Sequence, residues 1–106
     1  MNKLLILPIL LTANILSTTM VHATESQQET INTAEGYPYK NLIMWADKVE
    51  LIYSNNNENT ICRVNVLSDN LTHKGINRTV SNNKFKKTPM AACLTRDTAK
   101  QLLTKL

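Results

Sequence analysis

Val49-Glu50-Leu51-Ile52-Tyr53-Ser54 and Thr60-Ile61-Cys62-Arg63-Val64-Asn65-Val66 flank the polar run Asn55-Asn56-Asn57-Glu58-Asn59, and the reading of this stretch decides the fold. Val49, Leu51 and Tyr53 recur every second residue, as do Cys62, Val64 and Val66. A period of two puts each set on one face of a strand. Asparagine tolerates left-handed φ and hydrogen-bonds its own backbone, so residues 55–59 read as a turn. Two alternating runs around a short polar loop predict an antiparallel hairpin. A helical reading competes over residues 41–54, where Leu42, Trp45, Ala46, Val49, Ile52 and Tyr53 also make a stripe. β-branched and aromatic content favours the strand for residues 49–54.

Downstream of the hairpin, Ser68-Asp69-Asn70 reads as a turn and residues 71–80 as a third strand broken by Gly75. Ser81-Asn82-Asn83 reads as another turn. Lys84-Phe85-Lys86-Lys87 then leads as a loop into Thr88-Pro89, and residues 90–94 form a last short strand. The C-terminus carries clearer signals. Thr95 is an N-cap residue, and Asp97 falls in the first turn, where the helix dipole favours negative charge. Ala99, Leu102, Leu103 and Leu106 follow at helical spacing, with Lys100 and Lys105 off the stripe. Leu94 before the cap is placed to pack on Ala99. A helix of about three turns is marginal alone, so its apolar face must dock on the sheet. The expectation is an α+β fold: a small antiparallel sheet, one C-terminal helix and one disulfide.

Upstream, Met1-Asn2-Lys3 is a short positive segment, residues 4–16 are apolar apart from Pro8 and Asn14, and Val21-His22-Ala23 supplies small residues at a cleavage site. That layout is a secretory signal peptide over residues 1–23. An uncleaved anchor is the other reading, but it needs about 20 consecutive apolar residues. Residues 24–36 are polar without periodicity and read as a flexible N-terminal arm, and residues 37–106 as one small domain. The processed chain is expected to be periplasmic or secreted, with no stable membrane span. In that compartment Cys62 and Cys93 are expected to form a disulfide, closing a loop of about 32 residues worth roughly 3–4 kcal/mol. Two free buried thiols are the alternative.

With Lys3 removed, the charge of +4 falls to roughly +3, distributed unevenly. Residues 24–58 hold two lysines against six carboxylates, and residues 59–106 hold nine basic groups against Asp69 and Asp97. Such asymmetry suits an anionic partner or a surface that folding mixes. Nucleic acid is not favoured, because no interleaved aromatics or binding motif accompany the charge. Catalysis is not favoured either. His73 is the one histidine after the signal, a disulfide removes both thiols, the carboxylates are scattered, and two glycines cannot build a phosphate loop. Two cysteines and one histidine make no zinc site, so no metal or cofactor is expected. Asn70-Leu71-Thr72 and Asn77-Arg78-Thr79 match the glycosylation acceptor pattern and are taken as chance matches. Trp45 and Tyr53 are expected in the core, with a ligand face as the alternative for both; Tyr37 and Tyr39, flanking Pro38, are expected to be exposed. Together with the basic cluster Lys84, Lys86 and Lys87, the aromatics Tyr37, Tyr39 and Trp45 mark the candidate partner face.

The strand, polar hairpin and cysteine-bearing strand from Asp47 to Val66, with Thr60-Ile61-Cys62-Arg63-Val64, resemble the opening of the binding subunits of AB5 toxins of the subtilase-cytotoxin and pertussis-like group. Thr88-Pro89-Met90-Ala91-Ala92-Cys93 resembles their second disulfide strand, and a helix follows in both. The resemblance implies an exported OB-like barrel, assembly into a pentameric ring, sialylated glycan as ligand and an enzymatic A subunit as companion. Ala46 stands where that group has a glycan-contacting serine, so no glycan site carries over. From the residues alone, the leading expectation is an exported, non-enzymatic module acting on a protein partner, including inhibitor and immunity roles. A glycan-binding toxin subunit is the second reading, with homo-oligomerisation attached to it.

Overall fold

A computed structural model describes residues 26–106; the expected signal peptide lies outside the described residues. The elements follow the order β1 (Gln27–Thr30), α1 (Tyr39–Trp45), β2 (Lys48–Asn55), β3 (Asn59–Ser68), β4 (Leu71–Lys74), β5 (Arg78–Ser81), α2 (Asn82–Lys87), α3 (Pro89–Cys93) and α4 (Arg96–Leu103). The strands form one antiparallel open sheet in the order β1-β2-β3-β4, with β5 also pairing β3. This is the expected α+β architecture, with the C-terminal helix and the Cys62–Cys93 disulfide in place.

The hairpin is the centre of the sheet. Val49 pairs with Val66, Leu51 with Val64 and Tyr53 with Cys62, so the period-two apolar residues of both strands share one face. All six are buried. The helices cover that face: Leu42 from α1, Met90, Ala92 and Cys93 from α3, and Ala99 and Leu102 from α4 join the same core. Each fully buried leucine or valine contributes on the order of 1.5–3 kcal/mol. Gly75 breaks the third strand as expected. β4 pairs Asn65 with Lys74 whereas β5 pairs Cys62 with Arg78, so three residues oppose two and the edge bulges by one. A Cβ at Gly75 would run into the carbonyl of Val64, which is why the close approach needs glycine.

Four local expectations are corrected. Residues 27–30 of the supposed arm are strand β1, paired with β2. An edge strand needs only backbone partners, and Tyr53 Oη donates to Glu29 Oε2 at 2.7 Å to pin it, so apolar periodicity is not required. Residues 82–87 are helix α2 rather than a turn and loop. Ser81 caps it by accepting from Lys84 N, and Phe85 packs on Tyr53 with ring centroids 4.8 Å apart. Residues 89–93 are helix α3 rather than a strand. Pro89 suits the first helical position, and Met90 and Cys93 fall three apart on the inward side. Trp45 is not in the core but 62 % exposed. The inward stripe of α1 is Tyr39, Leu42, Ile43 and Ala46, which turns Trp45 outward.

The asparagine turn is ordered by its own side chains. Asn56 Oδ1 accepts from the amides of Glu58 and Asn59 at 3.0 and 2.8 Å. Asn82, the first residue of α2, clamps this turn: its Nδ2 donates to the carbonyls of Asn56 and Asn57 and its amide to that of Glu58. Buried Thr60 is satisfied on both sides, accepting from Asn55 Nδ2 and donating to Asn82 Oδ1, each at 2.6 Å.

Candidate functional site

The sequence-nominated residues fall on three separate places. Met44 and Trp45 lie on the last turn of α1, 63 % and 62 % exposed, where the chain enters β2. The helix is short because Ala46 is already extended and starts the run into the strand. Tyr39, Leu42, Ile43 and Ala46 together form the face turned to the core and fix the rotation of α1, and Met44 and Trp45 fall outside that stripe. Asp47 beside them accepts from the amide of Asp69 at 3.0 Å and holds the β3–β4 turn.

Tyr37 and Tyr39 are at the other end of α1. Tyr37 is 52 % exposed, and the Arg96 guanidinium lies over its ring, 5.9 Å from the centroid. Tyr39 is half-buried rather than exposed, and its hydroxyl donates to the carbonyl of Leu94 at 2.9 Å, tying α1 to the entrance of α4. Burial pushes the Tyr39 phenol above its ordinary range, opposed by the positive charges of Arg96 and Arg78. Arg78 in turn donates from Nε to the carbonyl of Ala92 at 3.0 Å.

Lys84, Lys86 and Lys87 are exposed on α2, all near its C-terminal end where the dipole favours cations. None makes an ion pair with another described residue; the pair among the described residues is Lys48–Glu50 at 3.2 Å. Of these lysines only Lys87 reaches a cleft of about 440 Å³, which Tyr39 also lines. Ile31, Ala34, Tyr39, Pro89 and Met90 give the cleft an apolar floor, and Glu35 and Lys87 stand among its polar groups. Thus Tyr39 and Lys87 share a site, whereas Trp45, Lys84 and Lys86 do not line it. Sequence reasoning does not reach Ile31, Ala34, Glu35 and Met90, because residues 24–36 lack apolar periodicity and residues 90–94 carry too little helical signal to set them apart from a strand. The isolated Ile31 in a polar segment was the one available signal.

Cys62 and Cys93 are bonded, with S–S 2.02 Å and Cα–Cα 5.5 Å, and both are buried. The bond fixes α3 on β3 and so positions one wall of the cleft. His73 is half-exposed on β4, opposite Val66. Among the described residues no group of three His, Cys, Asp or Glu is placed to hold a metal ion, and no helix is long and apolar enough to cross a membrane. No protein-family model, no curated protein and no solved structure matches this chain.

Proposed function

We propose that this chain is an exported, non-enzymatic binding protein that acts on a protein partner in the cell envelope or outside the cell. The observation that carries the reading is the exposure of Met44 and Trp45 side by side on a helix whose other face is locked into the core. Tryptophan dominates the energetics of protein interfaces when a partner desolvates it, and methionine adapts to irregular apolar surfaces. The buried disulfide supports a compartment outside the reducing cytosol.

Trp45 is the single tryptophan, so its emission reports directly on docking. Envelope extract from the producing cell, passed over the immobilised oxidised protein, should yield a partner that shifts Trp45 emission to the blue. Trp45→Ala should weaken capture by roughly 30-fold or more, as loss of a hot spot of about 2 kcal/mol requires. Unchanged affinity in that variant would remove the support. Ring assembly and binding of sialylated glycans, which the toxin-subunit resemblance implies, would replace this reading with the second one.

A further inference from the structure

We propose that the outer edge of β1 and the adjoining cleft together take one extended peptide segment of the partner, by strand addition. This rests on the reading of the chain as a protein-binding module but uses residues distinct from Trp45. β1 is an edge strand: it pairs with β2 on one side, and no described strand lies on the other. Its outward groups follow from the ladder. The amide of Ile31 donates to the carbonyl of Val49 at 2.8 Å, continuing the register that sets Glu29 against Leu51 and Gln27 against Tyr53. In an antiparallel pair, alternate residues face the partner strand and those between face away. Gln28 and Thr30 therefore aim their N–H and C=O groups at open solvent.

Only another backbone in extended form matches such a row of alternating donors and acceptors. β1 is short and carries one carboxylate, Glu29, which Tyr53 engages; neither a lysine nor a proline blocks its outward backbone groups at Gln28 and Thr30. The chain leaving β1 runs straight into the cleft, with Ile31, Thr33, Ala34 and Glu35 as one wall and residues 87–91 as the other. Its volume of about 440 Å³ lies within the ~300–1,000 Å³ of ligand clefts. Backbone pairing along Gln28 and Thr30 supplies affinity without sequence preference. The apolar floor supplies the preference: a bulky apolar side chain from the added strand, flanked by polar residues that meet Glu35 and Lys87.

The probe is a 12-residue peptide selected from a phage-displayed random library against the oxidised, processed protein. Its binding is expected to perturb the amide resonances of residues 27–35 and of Lys87, Thr88, Met90 and Ala91 and to slow hydrogen exchange at Gln28 and Thr30. The double variant Gln28→Pro/Thr30→Pro removes the outward N–H groups and spares the β1–β2 backbone bonds of residues 27, 29 and 31; the Gln28 side-chain bond to Glu50 at 2.8 Å is lost in this variant and in its alanine counterpart alike. It should bind the peptide roughly tenfold or more weakly, whereas Gln28→Ala/Thr30→Ala should bind it as the parent does. Should β1 detach in the proline variant, the same question is put to the peptide: N-methylation at one alternating set of residues must abolish binding while the other set leaves it intact. Retention with both N-methylated peptides, perturbations centred on Trp45, no peptide enriched over background, or a dimer already protecting Gln28 and Thr30 would each overturn the proposal. Trp45→Ala separates the two ideas, because it should disable partner capture and leave peptide binding unchanged.

Discussion

Reduction of Cys62–Cys93 is the perturbation with the largest effect that the structure allows to be worked out. The bridged residues are separated by 31 in sequence, and the bond joins the central strand β3 to α3 just before α4. Opening a loop of about 32 residues restores chain entropy to the unfolded state worth about 3.7 kcal/mol at 25 °C. A domain of about 80 residues has a total stability of roughly 4–12 kcal/mol. The reduced protein should therefore lie close to its unfolding threshold, with a midpoint lower by about 15–30 °C. Both cysteines are buried, and reduction deletes no heavy atom, so it disturbs packing less than substitution does. Cys62→Ala/Cys93→Ala should fall further, since it also empties volume in the core. Urea titrations with and without reductant, followed by far-ultraviolet circular dichroism and Trp45 emission, measure the difference. The slope should rise on reduction, because the unfolded chain without its cross-link exposes more surface. A difference below about 1 kcal/mol, or two free thiols in the protein taken directly from the envelope, would refute the assignment of the bond as the main staple of the fold.

Gly75→Ala should destabilise by on the order of 2–4 kcal/mol, read in the same urea titration, since its methyl group meets the Val64 carbonyl and backbone must move. Asn82→Ala leaves Thr60 Oγ1 without its acceptor and frees the turn carbonyls. A cost of about 1–3 kcal/mol and faster amide exchange throughout α2 are expected. Tyr53→Phe removes the hydroxyl that holds Glu29, so exchange in β1 should accelerate at a cost of about 1 kcal/mol while the hairpin stays protected. The Tyr53 phenol is raised chiefly by donating to Glu29, with burial and the Glu29 charge adding to it; Tyr39 is raised chiefly by burial. For both, the folded pKa lies above the unfolded one, so their contribution is intact below about pH 10 and is lost as pH rises through the folded values. Stability measured across pH 9–12 should fall over that window, less steeply in Tyr53→Phe; a flat profile would contradict the assignment.

The hairpin, the break at Gly75 and the terminal helix were legible because each is written in local terms. Period-two apolar residues, an asparagine turn, a glycine, a Thr95 cap and a stripe from Ala99 to Leu102 act within a few residues of themselves. The disulfide followed from compartment and cysteine count. The features that shape the candidate sites were written elsewhere. β1 is a strand because Tyr53, 24 residues from Glu29, offers it a hydroxyl and β2 offers it an edge. α2 is a helix because Asn82 finds the carbonyls of a turn some 25 residues earlier and Phe85 finds Tyr53.

Local sequence sets which residues alternate, where the chain turns, how α4 is capped and which two sulfurs can meet. Packing between distant segments sets whether short apolar runs become helix or strand, and which side of α1 faces out. The physical reason is the same in each case. A run of five to seven residues carries too little intrinsic preference to fix its own conformation, so distant contacts choose it. The rotation of α1, set by Tyr39, Leu42, Ile43 and Ala46 packing on the core, therefore exposes Trp45, and α3, tied to β3 through Cys93, supplies one wall of the cleft beside β1.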